Sequence, residues 1–262
     1  MLKNPELDLA WEFVEKTDRT IFLTGKAGTG KTTFLRSLKS NSLKRVIVVA
    51  PTGVAAINAK GVTIHSFFQM PFGPILPNDS KFNNRGSSFQ HKFSKIKINI
   101  IRSLDLLVID EISMVRSDLL DGIDQVLRRY RDKRKVFGGV QVLMIGDLQQ
   151  LAPVVNTNEW NLLKSHYETP YFFSSKVFIN SHTVNIELKH IYRQENQEFI
   201  RILNEIRTGE ISENSINKLN ERYLPNFIPK ENEGFITLTT HNKKAQVLND
   251  ENLNKLKGKS ET

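Results

Sequence analysis

The chain has 262 residues, 39% hydrophobic and 25% charged, a balance expected of a soluble globular protein with a large core and appendages. It has no cysteine, which excludes disulfides and thiolate metal sites and fits an intracellular compartment, the cytoplasm if the source is bacterial. No apolar run could span a bilayer, Glu6, Asp8 and Glu12 argue against a secretory signal, and 37 Lys and Arg against 28 Asp and Glu favour polyanionic partners over a membrane.

Asn4-Pro5 opens the first predicted helix, with Asn as N-cap and Pro in the first turn. Leu9, Ala10, Phe13 and Val14 form its apolar stripe, and Trp11 and Phe13 read as core rather than as an adenine-stacking pair. Strands are predicted at Thr20 to Thr24, Arg45 to Ala50, Asp105 to Ile109, Val140 to Ile145 and Thr183 to Leu188. A second helix follows Ser117, with Leu119, Leu120, Ile123, Val126, Leu127 and Tyr130 at helical spacing. Nearly continuous apolar strands alternating with helices predict an α/β fold whose parallel sheet is covered on both faces.

Pro71 to Arg102 interrupts this pattern and reads as a small insertion. Glu210 to Glu233 reads as a polar joint, and Phe235 to Thr240 as a new strand. One strand and one helix cannot bury a core of their own. The expected organisation is therefore a nucleotide-binding domain over 1–190, a helix and joint over 191–233, and the incomplete opening of a second domain over 234–262.

Gly25-Lys26-Ala27-Gly28-Thr29-Gly30-Lys31-Thr32 follows a predicted strand and opens a predicted helix, the setting of a phosphate-binding loop. Its glycines let backbone N–H groups approach phosphates, and the helix N-terminus adds favourable potential. Gly25, Ala27, Gly28, Thr29, Gly30, Lys31, Thr32 and Thr33 are the candidate nucleotide contacts. Lys31 is expected to reach the β- and γ-phosphates and Thr32 to ligate Mg²⁺, so ATP and Mg²⁺ are the expected cofactors.

Leu106 to Glu111 is an apolar strand ending in two carboxylates. Asp110 is placed to hold Mg²⁺ through water and Glu111 to polarise the attacking water. The alternative is an acidic pair that only favours a helix dipole. Gln150, in a third strand-end loop, can orient water or sense the γ-phosphate, or can belong to an ordinary polar turn. Lys81 to Arg102 has six Lys or Arg and no Asp or Glu, interleaved with Phe82, Phe89 and Phe93. Such a segment can neutralise phosphates and stack on bases, or can be a solvated basic loop whose phenylalanines are partly buried. The run Arg128 to Lys135 reads as a solvated helix end.

Six motifs then occur in order. They are the phosphate loop; Ala50-Pro51-Thr52-Gly53-Val54-Ala55-Ala56; Gly61-Val62-Thr63-Ile64-His65-Ser66; Asp110-Glu111-Ile112-Ser113-Met114-Val115; Gly146-Asp147-Leu148-Gln149-Gln150-Leu151-Ala152-Pro153-Val154; and Leu188 to Gly209. From about Thr20 to Gly209 the chain resembles the petite-integration-frequency family of DNA helicases, in superfamily 1 beside the RecD-like helicases. The resemblance implies two RecA-like domains that hydrolyse ATP and translocate 5′ to 3′ on single-stranded DNA and at single-strand–duplex junctions. It implies a monomer working in replication, repair, recombination or telomere maintenance. It further implies that Gln150 contacts the γ-phosphate, that Arg193 enters the same site as an arginine finger, and that Pro51, Thr52, Gly53, Val54, Thr63 and His65 line the DNA path. The insertion would sit beside the strand-separation point. The family's last motifs lie in the second domain and nothing after Phe235 supplies them, so a truncated motor is expected. A non-unwinding ATP- and DNA-binding module, or an ATPase that ignores nucleic acid, are the alternatives.

Overall fold

Six short strands form one sheet: β1 (Ile21–Gly25), β2 (Val46–Ala50), β3 (Val62–Thr63), β4 (Leu106–Ile109), β5 (Gln141–Ile145) and β6 (Val184–Leu188). The order across it is β3-β2-β4-β5-β1-β6, and every pairing is parallel. The computed structural model describes residues 4–77, 93–192, 194, 196–227 and 234–255. All five predicted strands are present. The sixth, β3, is two residues at the sheet edge, too short to leave a sequence pattern.

β4 and β5 are buried along their whole length, as central strands covered on both faces must be. Their side chains alternate between two cores. Leu106 and Val108 pack with Ala10 and Val14 of α1 (Pro5–Lys16) and with Phe34, Leu35 and Leu38 of α2 (Lys31–Asn41). Leu107 and Ile109 pack on the other face with Leu120, Ile123 and Leu127 of a later helix. Each such side chain contributes about 1.5–3 kcal/mol by leaving water. Trp11 meets Phe34 edge-on at 6.4 Å and lies against the first of these cores, as read from the sequence.

The intervening helices are α3 (Gly53–Asn58), α4 (Ile64–Phe68), α5 (Lys95–Ser103), α6 (Ser117–Tyr130), α7 (Thr157–Leu163), α8 (Lys176–Asn180) and α9 (Gln197–Thr208). Helix α6 buries three carboxylates as well as its apolar stripe, and each fastens a different loop. Asp118 accepts from the Ile75 N–H at 2.8 Å and from Arg116. Asp121 accepts from the Val177 N–H at 2.8 Å and the Tyr167 hydroxyl at 2.9 Å. Asp124 accepts from the Phe137 N–H and from Arg128 at 2.7 Å. Burial pushes the carboxyls of Asp121 and Asp124 upward, against the pull of these hydrogen bonds.

Two readings of basic segments change. Phe93 is buried and stacks on Tyr130 at 5.1 Å, so it is core and not free to stack on bases. Lys81, Phe82 and Phe89 lie outside the described residues. The run Arg128 to Lys135 is more than a solvated helix end. Arg128 pairs with Asp124, and Arg131 donates to the carbonyls of Ile101 and Leu104, both at 2.9 Å, closing the end of α5.

The chain divides into two compact units, Met1–Arg207 and Thr208–Thr262. The second holds α10 (Glu213–Asn220) and α11 (Asn242–Lys255). Phe235 to Thr240 is not a strand. Its alternation suits one, but a strand needs a backbone partner, and none of the described residues in this unit supplies it. Among the described residues no helix is long and apolar enough to cross a membrane.

Candidate functional site

Ligands of open parallel sheets sit at the carboxyl ends of the strands. Three of the motifs converge there: the loop after β1, the acidic pair after β4 and the Asp147–Gln150 loop after β5, the strand between them. The β1–α2 loop can take its course only with glycine at three points, Gly25, Gly28 (φ 83°) and Gly30. At Gly25 (φ 151°) a Cβ would lie 2.7 Å from the Leu188 carbonyl, and Gly30 (φ 95°) is the left-handed residue that starts α2. No side chain caps α2 and its first turn has no acidic residue, so its N–H groups face the loop. Thr29 is fully buried and donates its hydroxyl to the Lys26 carbonyl at 2.8 Å. Ala27, Thr32 and Thr33 are exposed on the loop and first turn.

Two distant segments hold this loop, and no local sequence pattern announces either contact. The Tyr192 N–H donates to the Gly28 carbonyl at 2.8 Å, and the Asn4 amide donates to the Tyr192 hydroxyl at 2.9 Å. Lys26 donates to Asn204 of α9 at 2.7 Å. Asn4 thus does two things, because its carbonyl oxygen also caps α1 at the Leu7 N–H.

The Lys31 ammonium donates to the carbonyls of Gly25 and Lys26, at 2.5 and 3.0 Å. Burial lowers its pKa, partly offset by the charges of Asp147, Glu111 and Asp110. Burial, with the neighbouring Glu111 charge, pushes the Asp110 carboxyl up to about 6. Glu111 takes the left-handed conformation (φ 52°), a strained backbone for a non-glycine residue and one that recurs at functional sites. The Thr32 side chain is exposed and the Asp110 carboxylate half-buried, and oxygen groups of these kinds are what a hard cation such as Mg²⁺ prefers.

Asp110 carries a testable cost. Its raised pKa means that ionising it opposes folding, so that without metal this cost is absent below about pH 4 and complete above about pH 6. The stability of the protein in EDTA should therefore fall as pH rises through that window. Asp110→Asn should be more stable than the parent at pH 8, by about 1–3 kcal/mol, and equal to it near pH 4. Urea melts at the two pH values measure this; equal stabilities at pH 8 would contradict it.

Asp147 is 1% exposed and takes a two-pronged ion pair from Arg207 of α9, at 2.7 and 2.8 Å. It also accepts from the Gln149 N–H at 3.1 Å and from the Gln150 side-chain amide at 3.2 Å. Burial works against the charged form, but these hydrogen bonds and the Arg207 charge outweigh it and hold the carboxyl below its usual value. Gln150 is thus oriented by a buried carboxylate that α9 fixes. Arg193 lies outside the described residues.

The candidate strand-binding residues sit at the next strand ends. Register pairs Ala50 with Thr63, which sets Pro51 to Val54 beside the Thr63–His65 segment. Thr52 caps α3 by accepting from the Ala55 N–H at 3.2 Å, leaving Gly53 and Val54 exposed. Thr63 caps α4 in the same way at Ser66, and the half-buried His65 stacks on Phe72.

Comparison with known proteins gives the family and the fold. A family profile described as PIF1-like helicase matches residues 8–217. An ATP-dependent DNA helicase PIF1 of Emericella nidulans is 34% identical over 81% of this chain and 27% of its own length. The human protein of the same description is 32% identical over 92% of this chain and 35% of its own. The chain thus spans about a third or less of these relatives. The crystal structure of a Pif1 helicase from Bacteroides in complex with ADP-AlF3 and ssDNA superposes with a TM-score of 0.89 at 40% identity, over 99% of this chain and 58% of that one. The parallel sheet and its flanking helices are accordingly RecA-like, and with most of its length matched in sequence and fold, the chain belongs to the PIF1-like helicase family.

Proposed function

We propose that this chain is the ATP-hydrolysing part of a motor that moves 5′ to 3′ on single-stranded DNA and opens duplex at junctions, in replication, repair, recombination or telomere maintenance. The observation that carries the reading is the convergence of the phosphate loop, the Asp110–Glu111 pair and the Asp147–Gln150 loop on three adjacent strand ends, with the Pro51 and Thr63 segments on the next two. A related Bacteroides Pif1 helicase was crystallised with ADP-AlF3 and ssDNA, which supports ATP and a single strand as the ligands.

In this reading Lys31 and the N–H groups of the Gly25–Thr33 loop bind the phosphates. Thr32 and Asp110 would hold Mg²⁺, which neutralises charge on the phosphate oxygens. Glu111 accepts a proton from the attacking water, and Gln150, steadied by Asp147, orients that water against the γ-phosphate. Arg193 is proposed as the arginine finger, and a second RecA-like domain as the partner that closes the cleft. Pro51, Thr52, Gly53, Val54, Thr63 and His65 line the strand path. The working unit is proposed to be the monomer.

Oligo-dT should accelerate ATP hydrolysis, and its affinity should fall linearly with salt on a log–log plot and exceed that for duplex. Fluorescence anisotropy and a coupled ATPase assay measure both. An ATPase indifferent to oligo-dT, with no binding of the strand, would contradict the reading.

A further inference from the structure

Phe72 lies five residues after Ser66-Phe67 and belongs to no motif, yet it is 89% exposed. A single exposed apolar residue is ordinary. Its setting is not. Met70 and Ile75 on either side are buried at 5% and 3%, so the loop is anchored before and after the ring. Arg116 donates to the Gly73 carbonyl at 2.7 Å, and Asp118 accepts from the Ile75 N–H at 2.8 Å. Arg116 and Asp118 are themselves an ion pair at 2.8 Å, with the carboxylate fully buried. The backbone that carries Phe72 is therefore fixed by charge-assisted bonds to α6 and does not depend on the ring for its shape.

The ring is also aligned. It lies 5.0 Å from the His65 imidazole with the planes within 14° of parallel. Its exposure leaves the face turned away from His65 open. Burial and the nearby Arg116 charge, against the weaker pull of Asp118, lower the His65 pKa and favour the neutral ring. His65 in turn follows Thr63, the residue whose strand pairs with the end of β2. An anchored, flat aromatic surface thus continues the candidate strand path. The chemistry that such a surface recognises is a planar, unpaired nucleobase, whose π-face stacks without regard to sequence.

We propose that Phe72, backed by His65, is a stacking platform for one unpaired base of the bound single strand. The proposal rests on the single-strand reading above and adds a contact that this reading does not contain. The platform faces a base, not a phosphate. Phe72→Ala should therefore weaken oligo-dT binding by about 5- to 150-fold, the range for loss of one base–aromatic stack, without changing the salt slope. Phe72→Trp should retain affinity, and Phe72→Leu, which keeps bulk but not the ring, should behave like Phe72→Ala.

The test is anisotropy titration of the 262-residue protein with oligo-dT and with an abasic strand of equal length. The parent and Phe72→Trp should prefer oligo-dT, and the Ala and Leu variants should lose much of that preference while binding the abasic strand as the parent does. A 2-aminopurine placed in oligo-dT should be quenched by the parent and by Phe72→Trp more than by Phe72→Ala. If the Ala and Leu variants discriminate oligo-dT from the abasic strand as well as the parent does, the platform is refuted and the single-strand reading stands. If the parent binds neither strand, both fall.

Discussion

Glu111→Gln is expected to slow ATP hydrolysis by about 10²- to 10⁴-fold while Mg-ATP still binds, the range associated with loss of a positioned general base. Glutamine has the same length and keeps a hydrogen-bond acceptor, but it cannot take a proton. The residues proposed to bind phosphates and Mg²⁺, Lys31, Thr32 and Asp110, are untouched. The left-handed turn at Glu111 is a backbone feature that Gln can also occupy, at a strain similar to that of the parent. Single-turnover hydrolysis beside equilibrium binding of a fluorescent ATP analogue separates the two effects. Loss of binding with hydrolysis would make Glu111 a metal or folding residue instead.

Arg207→Ala should destabilise the protein by about 3–5 kcal/mol near neutral pH, because it leaves a buried carboxylate with its cationic partner gone. Asp147 would retain only the Gln149 N–H and the Gln150 amide. The pH dependence identifies the cause. In the parent, Asp147 is held below its ordinary pKa, so its contribution is present above about pH 4 and disappears as pH falls through the folded value. Without Arg207, burial dominates and the carboxyl is pushed upward. The penalty should therefore shrink as pH falls from 7.5 towards 4.5, where the variant can protonate Asp147. Arg207→Lys should recover only part of the loss, since an ammonium cannot make both bonds at once. Removing both charges with Asp147→Asn and Arg207→Ala should cost less than Arg207→Ala alone. A penalty that is independent of pH would assign the loss to helix packing.

The residues proposed to carry the chemistry were legible because each lies in a short linear motif: a glycine-rich turn after a strand, two acids at a strand end, a glutamine in the third loop. What holds them in place was not. Arg207 and Asp147 are 60 residues apart, Lys26 and Asn204 178, and Asn4 and Tyr192 188, separations at which no local pattern registers a contact. The three aspartates of α6 resemble a solvated face by spacing, and only the loops folded over them make them anchors. Phe93 stayed open between stacking and burial for the converse reason. A phenylalanine among lysines suggests a nucleic-acid surface, but Tyr130, 37 positions on, takes its face. Phe235 to Thr240 has the alternation of a strand, and alternation cannot report whether a partner strand is present.

Asn204 and Arg207 stand three positions apart on α9, so their side chains leave the same side of one helical turn. One reaches the loop that would wrap the phosphates, the other the loop that carries Gln150. A single turn of helix therefore works as a crossbar between two loops that leave neighbouring, hydrogen-bonded strands. Three residues of helix, at about 1.5 Å of rise each, span nearly the roughly 4.8 Å that separates neighbouring strands, so the bar matches the sheet it crosses. Loops already rooted in paired strands are thus tied a second time, beyond the sheet, by the three-residue step from Asn204 to Arg207.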